Sequence, residues 1–373
     1  MKKICIVTAA RSEYGLLKWL MRDIDADSDY QLQLIVTGGH LLKGQGHTID
    51  VIKKDGFFIT DIVDAKLDTS SPKKIAESMG RMAEGFASAF AKLKPDLLIV
   101  LGDRYELLPI CNTAFVMRIP IAHLSGGDIT EGAIDDGVRN AVTMLADYHF
   151  PGTSDAAKNI ERMRGCKNNI WAVGEPGLDA FKKLELLARK QLADNLEIDP
   201  NKKWCLMTYH SETKESLEYN LSAVQSCIEC LSKYNDLQIV MTYANADFGG
   251  EQINQTLESI AKKYPLQFKA IPSLGQLRYL SFMKQAAIVV GNSSSGIVEA
   301  PYLGVPVVNI GERQKGRYQC KNIIQCKNSK ESIADAIEDA FNKPIDSSDS
   351  MFWGNGETST NILRILHESI FCN

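Results

Sequence analysis

The chain has 373 residues, and its 42 Lys and Arg against 46 Asp and Glu give a formal charge of −4. A composition of 45% hydrophobic and 24% charged residues is that of an ordinary globular protein. It excludes a disordered chain and a coiled coil and, at this length, predicts two domains. Because there is no basic excess, the composition also argues against nucleic acids and anionic membrane surfaces as partners.

No stretch of the sequence approaches about 18 consecutive apolar residues, and the apolar run at residues 4–8 is too short for the core of a signal peptide. We therefore expect a cytoplasmic protein with no membrane partner. The nine cysteines are irregularly spaced, and the Cys-x-x-Cys pair of Cys227 and Cys230 has no second pair at zinc spacing. This pattern predicts buried thiols and no metal site.

Short β-branched runs alternate with helical stretches along the first half of the chain, which is typical of buried parallel strands. The runs lie at residues 4–8, 32–37, 97–101, 119–123, 149–151 and 170–173. The clearest helix between them carries an apolar stripe from Ile75 to Phe90 at steps of three and four residues and ends before Pro95.

After a Gly- and Pro-containing junction at residues 174–177, the alternation begins again. The second set of runs lies at residues 204–209, 237–243, 268–271, 287–290 and 306–310. Two such sets predict an α/β protein of two Rossmann-like, doubly wound domains. We expect an N-terminal domain of residues 1–173 and a C-terminal domain of residues 174–356, with a final helix within 357–373 packing back on the first.

The strongest local motif is a Gly/Ser-rich turn at residues 290–299, where a predicted strand runs directly into a helix. In open α/β sheets ligands bind beyond the carboxyl ends of the strands. Backbone N–H groups at the helix start and the hydroxyls of Ser293, Ser294 and Ser295 suit a diphosphate. A helix N-cap needs a single serine, so three serines between glycines favour a phosphate site.

Glu299, one turn into that helix, has two equal explanations: it accepts the two hydroxyls of a ribose, or it complements the helix dipole. The first strand is not followed by G-x-G-x-x-G, and no G-x-x-x-x-G-K-S/T occurs anywhere in the chain. Hydride transfer with a dinucleotide and ATP hydrolysis therefore lose their main support. We expect no cofactor.

Two groups of acids and bases follow strands of the first domain. Asp103 and Arg104 follow the run 97–101 after Gly102, and Asp135 and Asp136 precede Arg139 at the start of a helix. An exposed ion pair or a first-turn helix charge would explain either group alone. Because both groups fall on the ligand-binding side of one domain, the pattern favours acid-base chemistry.

Three histidines also lie at strand ends: His40 and His123 in the first domain and His210 in the second. A single histidine in such a place is more often structural. Three of them favour a role at the site, since imidazole carries protons and binds phosphate near neutral pH.

Taken together, these motifs resemble the hydrolysing UDP-N-acetylglucosamine 2-epimerases that begin sialic acid synthesis. In chain order they are Arg11-Ser-Glu-Tyr, Gly102-Asp103-Arg104-x-Glu106, His123-x-x-Gly-Gly, Asp135-Asp136-x-x-Arg139, His210, Gly291-Asn-Ser-Ser and Asn309-x-Gly-x-Arg313-Gln314. The resemblance covers almost the whole chain. It implies a glycosyltransferase-B-like pair of domains facing a cleft, and a homodimer or homotetramer. It also implies conversion of UDP-N-acetylglucosamine plus water to N-acetylmannosamine plus UDP.

The resemblance also implies roles for individual residues. Those implied around the nucleotide are Arg11, Arg104, His210, Asn245, Ser293, Ser294, Glu299 and Arg313. Those implied near the sugar are Asp103, Asp135 and Arg139. The motif departs at Ser125, where many relatives have a glutamate, which leaves Asp128 or Glu131 as the second catalytic acid, with a slight preference for Glu131 beside Gly132.

The same departure leaves the sugar open, because related enzymes act on UDP- or GDP-linked 2,4-diacetamido-2,4,6-trideoxyglucose in legionaminic acid synthesis. Carbon 2 of these sugars has no adjacent carbonyl, so simple deprotonation is unfavourable. Loss of the nucleotide from carbon 1 as a base takes the carbon-2 hydrogen gives a 2-acetamidoglucal, which then adds water. A glycosyltransferase of the same architecture and a non-catalytic UDP-sugar sensor are the rival functions.

Overall fold

The computed structural model describes residues 1–42, 44, 46–131, 134–245, 247–342 and 344–372. The chain divides into two compact units. The first contains Met1–Asp128, Asp135–Lys182 and Gly354–Asn373, and the second contains Ile129–Ile134 and Lys183–Trp353. The main division thus follows Lys182, beyond the expected boundary at residue 173.

The first unit is built on a parallel sheet of six strands. They are β1 (Lys2–Thr8), β2 (Tyr30–Thr37), β3 (Ile59–Val63), β4 (Leu97–Leu101), β5 (Ile121–Leu124) and β6 (Tyr148–Phe150), in the order β3-β2-β1-β4-β5-β6. The helices are α1 (Arg11–Asp25), α2 (Ile49–Lys54), α3 (Pro72–Leu93), α4 (Leu107–Val116), α5 (Asp135–Leu145), α6 (Ser154–Arg164) and α7 (Asp179–Lys183).

Hydrophobic layers cover both faces of this sheet, because successive side chains of a strand point to opposite sides. Ile4 and Ile6 of β1 pack in one cluster with Leu17 of α1. Cys5 and Val7 pack in the other with the predicted stripe of α3, which includes Phe86. The first unit is therefore doubly wound.

The second unit repeats this topology. Its strands are β7 (Lys203–Thr208), β8 (Leu237–Thr242), β9 (Phe268–Ile271), β10 (Ile288–Gly291), β11 (Val307–Ile310) and β12 (Ile323–Cys326), all parallel in the order β12-β11-β10-β7-β8-β9. Its helices are α8 (Arg189–Leu196), α9 (Leu217–Leu231), α10 (Gly250–Lys263), α11 (Gly275–Gln285), α12 (Ser294–Tyr302) and α13 (Lys330–Asn342). The predicted α/β class with two doubly wound domains is confirmed.

The last helix, α14 (Thr358–Ile365), belongs to the first unit and continues into a π-helical turn at Leu366–Ile370. Ile362, Ile365 and Leu366 lie in the first unit's core beside α1. The carboxylate of Asp179 accepts hydrogen bonds from the backbone N–H groups of Thr358 and Ser359, both at 2.7 Å. Asp179, although distant in sequence, thus caps α14 by accepting from backbone N–H groups that have no partner within the helix.

Some sequence expectations were wrong. The predicted strand 170–173 forms no more than an isolated bridge between Ile170 and His149. Strands β3 and β12 were missed; each is an edge strand, with polar side chains such as Asp61 and Gln325 interrupting the apolar run. Edge strands need not be apolar on both faces, so the pattern of a buried strand does not find them.

The predicted burial of Cys227 and Cys230 is confirmed, and burial raises the pKa of both thiols. Among the helices of the described ranges, none combines the length and the apolar composition needed to cross a bilayer.

Candidate functional site

A buried arginine organises the acids of the first unit. Arg139 of α5 is fully buried, and its guanidinium donates to the carboxylate of Asp103, which follows β4. It also donates to the backbone carbonyl of Asp128 at 2.9 Å and lies 3.5 Å from the carboxylate of Asp136. Burial alone would lower the pKa of Arg139, but the surrounding carboxylates, among them Asp135, raise it. Four predicted residues are thus brought together: Asp103, Asp128, Asp135 and Arg139.

Arg104, next to Asp103, is held by two buried acids. Its guanidinium forms two hydrogen bonds to Glu106, at 3.1 and 3.2 Å, and its Nε lies 4.0 Å from Glu13 Oε1. Glu13 Oε2 accepts from the backbone N–H groups of Ala9 and Ala10 at the start of α1. Burial raises the pKa of Glu13 to about 7, against the opposing effect of Arg104. Sequence reasoning missed Glu13, whose only signal was its place in the Arg11 motif.

The two predicted histidines of the first unit, His40 and His123, are fully buried and bonded on both ring nitrogens. His40 lies between the hydroxyls of Thr8 and Thr48, at 2.9 and 2.7 Å. His123 lies between the Gly102 carbonyl and the Thr143 hydroxyl, at 2.8 and 3.1 Å. Burial, assisted at His40 by the nearby charge of Arg11, lowers the pKa of each ring to about 4. These contacts favour neutral histidines that hold the strand ends.

The two candidates for the second acid have different surroundings. Asp128 lies in the first unit, bonded through its carbonyl to Arg139. Glu131 belongs to the second unit, where its backbone N–H donates to the carbonyl of Lys315 at 2.9 Å and its carboxylate, 61% exposed, lies 3.9 Å from Lys315 Nζ. Asp128 thus shares its unit with Asp103 and Arg139, whereas Glu131 does not, and the identity of the second acid stays a prediction.

In the second unit, the predicted Gly/Ser turn joins β10 to α12. Gly291 has φ +139°, and a Cβ atom there would lie 1.9 Å from the carbonyl oxygen of Thr208, so the position requires glycine. Ser293 is the N-cap of α12 and accepts from the N–H of Ser295, while Ser294 is exposed. The hydroxyl of Ser295 bonds to Ser293 and to Tyr279. The turn thus has the form of an anion-binding helix start.

Asn292 connects this turn to His210. Its side-chain amide accepts from the backbone N–H of His210 at 2.8 Å and donates to the carbonyl of His210 at 2.9 Å. His210 Nδ1 accepts from the backbone N–H of Asn245 at 3.1 Å, which places the proton of a neutral ring on Nε2. Arg313 donates to the carbonyl of Asn292 at 3.1 Å. The predicted residues His210, Asn245 and Arg313 therefore adjoin the Gly/Ser turn.

Glu212 supports Arg313 and was missed by sequence reasoning. Its buried carboxylate accepts from the backbone N–H of Glu312 at 3.1 Å and from the hydroxyl of Tyr209 at 3.3 Å. A Cβ atom at Gly311, where φ is +77°, would lie 2.0 Å from Glu212 Oε1. The acid thus fixes the turn that precedes Arg313, and its position two residues after His210 was the only signal.

The nucleotide-side predictions can be tested by binding. Alanine at His210, Ser293, Ser294 or Arg313 should each weaken UDP binding by about 1 to 3 kcal/mol, the usual effect of losing a charge-assisted hydrogen bond. Isothermal titration calorimetry measures this directly. Ser329→Ala is the matched control, since Ser329 accepts from Ser332 N–H at 3.2 Å beside the edge strand β12. Unchanged UDP affinity in all four variants would place the nucleotide elsewhere.

Glu299 of α12 is buried, and burial raises its pKa from 4.5 to about 7, although Arg317 opposes the shift. Between these pH values the folded protein binds more protons at Glu299 than the unfolded chain, so this residue makes the free energy of unfolding fall as pH rises. Glu299→Gln should remove that contribution. Relative to the wild type, the variant should therefore gain stability as pH increases from 4.5 to 7.

Urea unfolding at several pH values measures this difference. Glu218→Gln, at an exposed acid in the first turn of α9, is the control and should keep the wild-type pH profile. If Glu299→Gln also keeps that profile, Glu299 does not titrate in this range in the folded protein.

Possible metal ligands lie apart from these residues. Across the described part of the chain, one group of three is close enough to share an ion, namely Asp27, Asp29 and His367 of the first unit. None of the predicted site residues belongs to it.

A family model described as UDP-N-acetylglucosamine 2-epimerase matches residues 22–367. The chain belongs to the UDP-N-acetylglucosamine 2-epimerase family. Among this family, the GDP/UDP-N,N'-diacetylbacillosamine 2-epimerase (hydrolyzing) of Campylobacter jejuni is 35% identical and aligns with 92% of this chain and 87% of its own length. The UDP-N,N'-diacetylbacillosamine 2-epimerase (hydrolyzing) of Legionella pneumophila is 32% identical, with 98% and 95% aligned. The UDP-N-acetylglucosamine 2-epimerase of Neisseria meningitidis is 29% identical, with 98% and 94% aligned.

Solved structures of the family share this fold. The UDP-GlcNAc 2-epimerase from Neisseria meningitidis bound to UDP-GlcNAc superposes with a TM-score of 0.80 at 18% identity, covering 98% of this chain and 99% of that one. The Methanocaldococcus jannaschii enzyme in complex with UDP-GlcNAc and UDP gives 0.80 at 20% identity, with 98% and 99% covered. The predicted glycosyltransferase-B-like fold of this family is thereby confirmed.

Proposed function

We propose that this member of the epimerase family is a hydrolysing 2-epimerase of nucleoside-diphosphate-linked 2-acetamido sugars. The observation that carries the proposal is the buried Arg139, which bonds to Asp103 and to the Asp128 carbonyl and has Asp135 in its electrostatic field. An arginine so placed fixes the orientation of the carboxylate that it bonds, as a base that removes a carbon-bound proton requires. Family membership supplies the reaction class.

The relatives favour one of the two substrates considered from the sequence. The two at 35% and 32% identity are named for N,N'-diacetylbacillosamine, which is 2,4-diacetamido-2,4,6-trideoxyglucose. Relatives named for UDP-N-acetylglucosamine are 29% and 26% identical. We therefore place the UDP- or GDP-linked diacetamido sugar first and UDP-N-acetylglucosamine second, reversing the order expected from the sequence.

The first unit then acts on the sugar. A carboxylate of the Arg139 group, with Asp103 as the first candidate, takes the hydrogen from carbon 2. The electrons of that bond form the double bond between carbons 1 and 2, and the nucleoside diphosphate leaves carbon 1 with the electron pair of its bond. An acid, with Asp128 or Asp135 as the candidates, delivers a proton to the opposite face of carbon 2, and water adds its oxygen to carbon 1. The attacking water gives up one of its protons, which restores the acid, and the base releases the carbon-2 proton to solvent. The products are the free 2-epimer and the nucleoside diphosphate.

The second unit stabilises the leaving group. The N–H groups at the start of α12, the hydroxyls of Ser293 and Ser294, and the side chains of His210 and Arg313 are donors to a diphosphate whose negative charge grows as it departs. Glu299 is the candidate acceptor for the ribose hydroxyls. A homodimer or homotetramer and a cytoplasmic location stay predictions.

The test is product analysis with sugar nucleotide and water alone. UDP-N-acetylglucosamine and the UDP- and GDP-linked diacetamido sugars are incubated with the protein, and nucleoside diphosphate and free sugar are followed by chromatography and NMR. Release of nucleoside diphosphate with a free sugar of inverted carbon 2 supports the proposal. Binding without turnover would support the sensor, and turnover only with an added acceptor would support the transferase.

Isotopes separate the elimination route from its competitors. In deuterated water the early product should carry solvent deuterium at carbon 2, and in heavy-oxygen water it should carry the label at carbon 1. Free product incubated alone corrects for slow exchange of the anomeric oxygen. Retention of the substrate's carbon-2 hydrogen would exclude elimination, and label in the phosphate would show attack at phosphorus.

A further inference from the structure

A glutamate from outside the predicted site reaches the turn that contains Asp128. Glu175 immediately precedes a short 3-10 turn at Pro176–Leu178, and its side chain is buried. Its Oε2 accepts a hydrogen bond from the hydroxyl of Ser125 at 2.8 Å. Ser125 directly follows β5, so the carboxylate lies at the carboxyl edge of the first unit's sheet, where ligands of such sheets bind.

The surrounding backbone leaves room for this carboxylate and fixes it. A Cβ atom at Gly152, just beyond β6, would lie 1.9 Å from Glu175 Oε1, so any other residue there would displace the acid. Gly354, with φ +122°, lies so close to residue 174 that a Cβ atom would be 2.8 Å from the Gly174 Cα. Close packing thus fixes both ends of Glu175: Gly152 lies against its carboxylate, and Gly354 lies against the backbone at residues 174–175.

The backbone of Ser125 itself needs support. Its φ is +56°, in the left-handed region that residues other than glycine seldom adopt. Such a conformation persists only where the surrounding contacts determine it, and it is found preferentially at functional sites. Two contacts do so here: the Ser125 N–H donates to the carbonyl of Phe150 at 2.9 Å, and the Ser125 hydroxyl donates to Glu175.

The turn from Ser125 to Asp128 has little freedom between its ends. A Cβ atom at Gly127 would lie 2.3 Å from the Ala156 carbonyl oxygen, and the Gly127 carbonyl accepts from Asn159 Nδ2 at 2.9 Å. At Asp128 the carbonyl accepts from Arg139. A displacement at Ser125 therefore moves the segment that positions Asp128 beside the Arg139 group.

From these contacts we infer that Glu175 is a positioning residue that acts through Ser125 to hold the 125–128 turn, and with it Asp128, against Arg139 and Asp103. The inference rests on the proposed function for its effect on catalysis. A misplacement of about 1 Å is enough to lower an enzymatic rate by about 100-fold.

Kinetics of three variants test the inference. Ser125→Ala and Glu175→Ala should each lower kcat by roughly 10- to 100-fold, with KM and UDP affinity within about threefold of the wild type. Glu175→Gln should stay within about threefold, because its amide oxygen still accepts from Ser125. The double alanine variant should be no slower than the slower single variant, as expected for two residues acting as a pair. Glu161→Ala, at a partly exposed acid of α6 whose carboxylate lies 3.8 Å from Lys167 Nζ, is the control.

Several results would overturn the inference. A normal kcat in Ser125→Ala would show that the hydrogen bond does not matter, and additive losses in the double variant would show that the two residues act separately. A Glu175→Gln variant as slow as Glu175→Ala would show that the negative charge itself is used in the chemistry. If Glu175→Ala does not fold, Ser125→Ala and Glu175→Gln decide alone.

Amide hydrogen exchange provides a readout that does not depend on turnover. Both alanine variants should accelerate exchange at Ser125–Asp128 about tenfold or more, and Glu175→Gln should not. If the wild-type protein turns over no sugar nucleotide, the proposed function fails while this exchange pattern still establishes the role of Glu175. Unchanged exchange in both alanine variants would remove that role even in an active epimerase.

Discussion

Replacing Asp103 or Asp135 by asparagine should lower turnover of the sugar nucleotide by about 100-fold or more, the usual loss when a catalytic acid or base is removed. Asparagine keeps the size of the side chain and removes its charge. Asp103 is bonded to the buried Arg139, and Asp135 contributes to the field that raises the pKa of that arginine. UDP affinity should stay within a few-fold, because the proposed donors to the diphosphate, His210, Ser293, Ser294 and Arg313, lie in the second unit.

Steady-state kinetics and calorimetry with UDP, performed on the same preparations, measure both quantities. Asp155→Asn, at an exposed acid in the first turn of α6, is the control and should be fully active. Loss of the negative charge of Asp103 also affects Arg139, so the free energy of unfolding of each variant should be measured. Near-normal turnover in both variants would reject the assignment of these acids to the chemistry.

Removing the buried guanidinium should have the largest effect on stability. Arg139→Ala should lower the free energy of unfolding by about 3 to 5 kcal/mol, because it removes a fully buried guanidinium that pairs with the partly buried carboxylate of Asp103 and donates to the carbonyl of Asp128. It should also abolish most activity. Urea unfolding at neutral pH measures the first effect.

The control is Arg364→Ala. Arg364 lies 3.1 Å from Glu368 in an ion pair whose two side chains are more than half exposed, so its loss should change the free energy of unfolding by less than about 1 kcal/mol. Arg139→Lys keeps the charge but not the forked geometry and should be intermediate. If Arg139→Ala unfolds like the control, the acid cluster does not depend on this arginine.

The central strands and the loops after them could be predicted from the sequence because both leave local patterns. Strand β4 is an uninterrupted apolar run, and Asp103 follows it within two residues. The turn before α12 likewise combines its serines and glycines in one short segment. These features gave the predicted architecture and the acids that gather around Arg139.

What could not be predicted depends on residues distant in sequence. Glu175 meets Ser125 across 50 positions, and Glu212 bonds to the Glu312 backbone across 100. No periodicity connects such pairs, since only the folded sheet brings them to one edge. The choice between Asp128 and Glu131 could not be made from the sequence for the same reason: three residues apart in the chain, they belong to different compact units.

The position of α14 has a consequence for the order in which the two units can complete their folding during synthesis. Domains emerging from the ribosome generally fold as units, the N-terminal one first. Here Ile362 and Leu366 are part of the core of the first unit. The carboxylate of Asp179 accepts hydrogen bonds from the N–H groups of Thr358 and Ser359, which are synthesised about 180 residues later. The first unit therefore stays incomplete, without the side chains of α14 that pack beside α1, until all of the second unit has been synthesised. In this protein the N-terminal domain is the last to be finished.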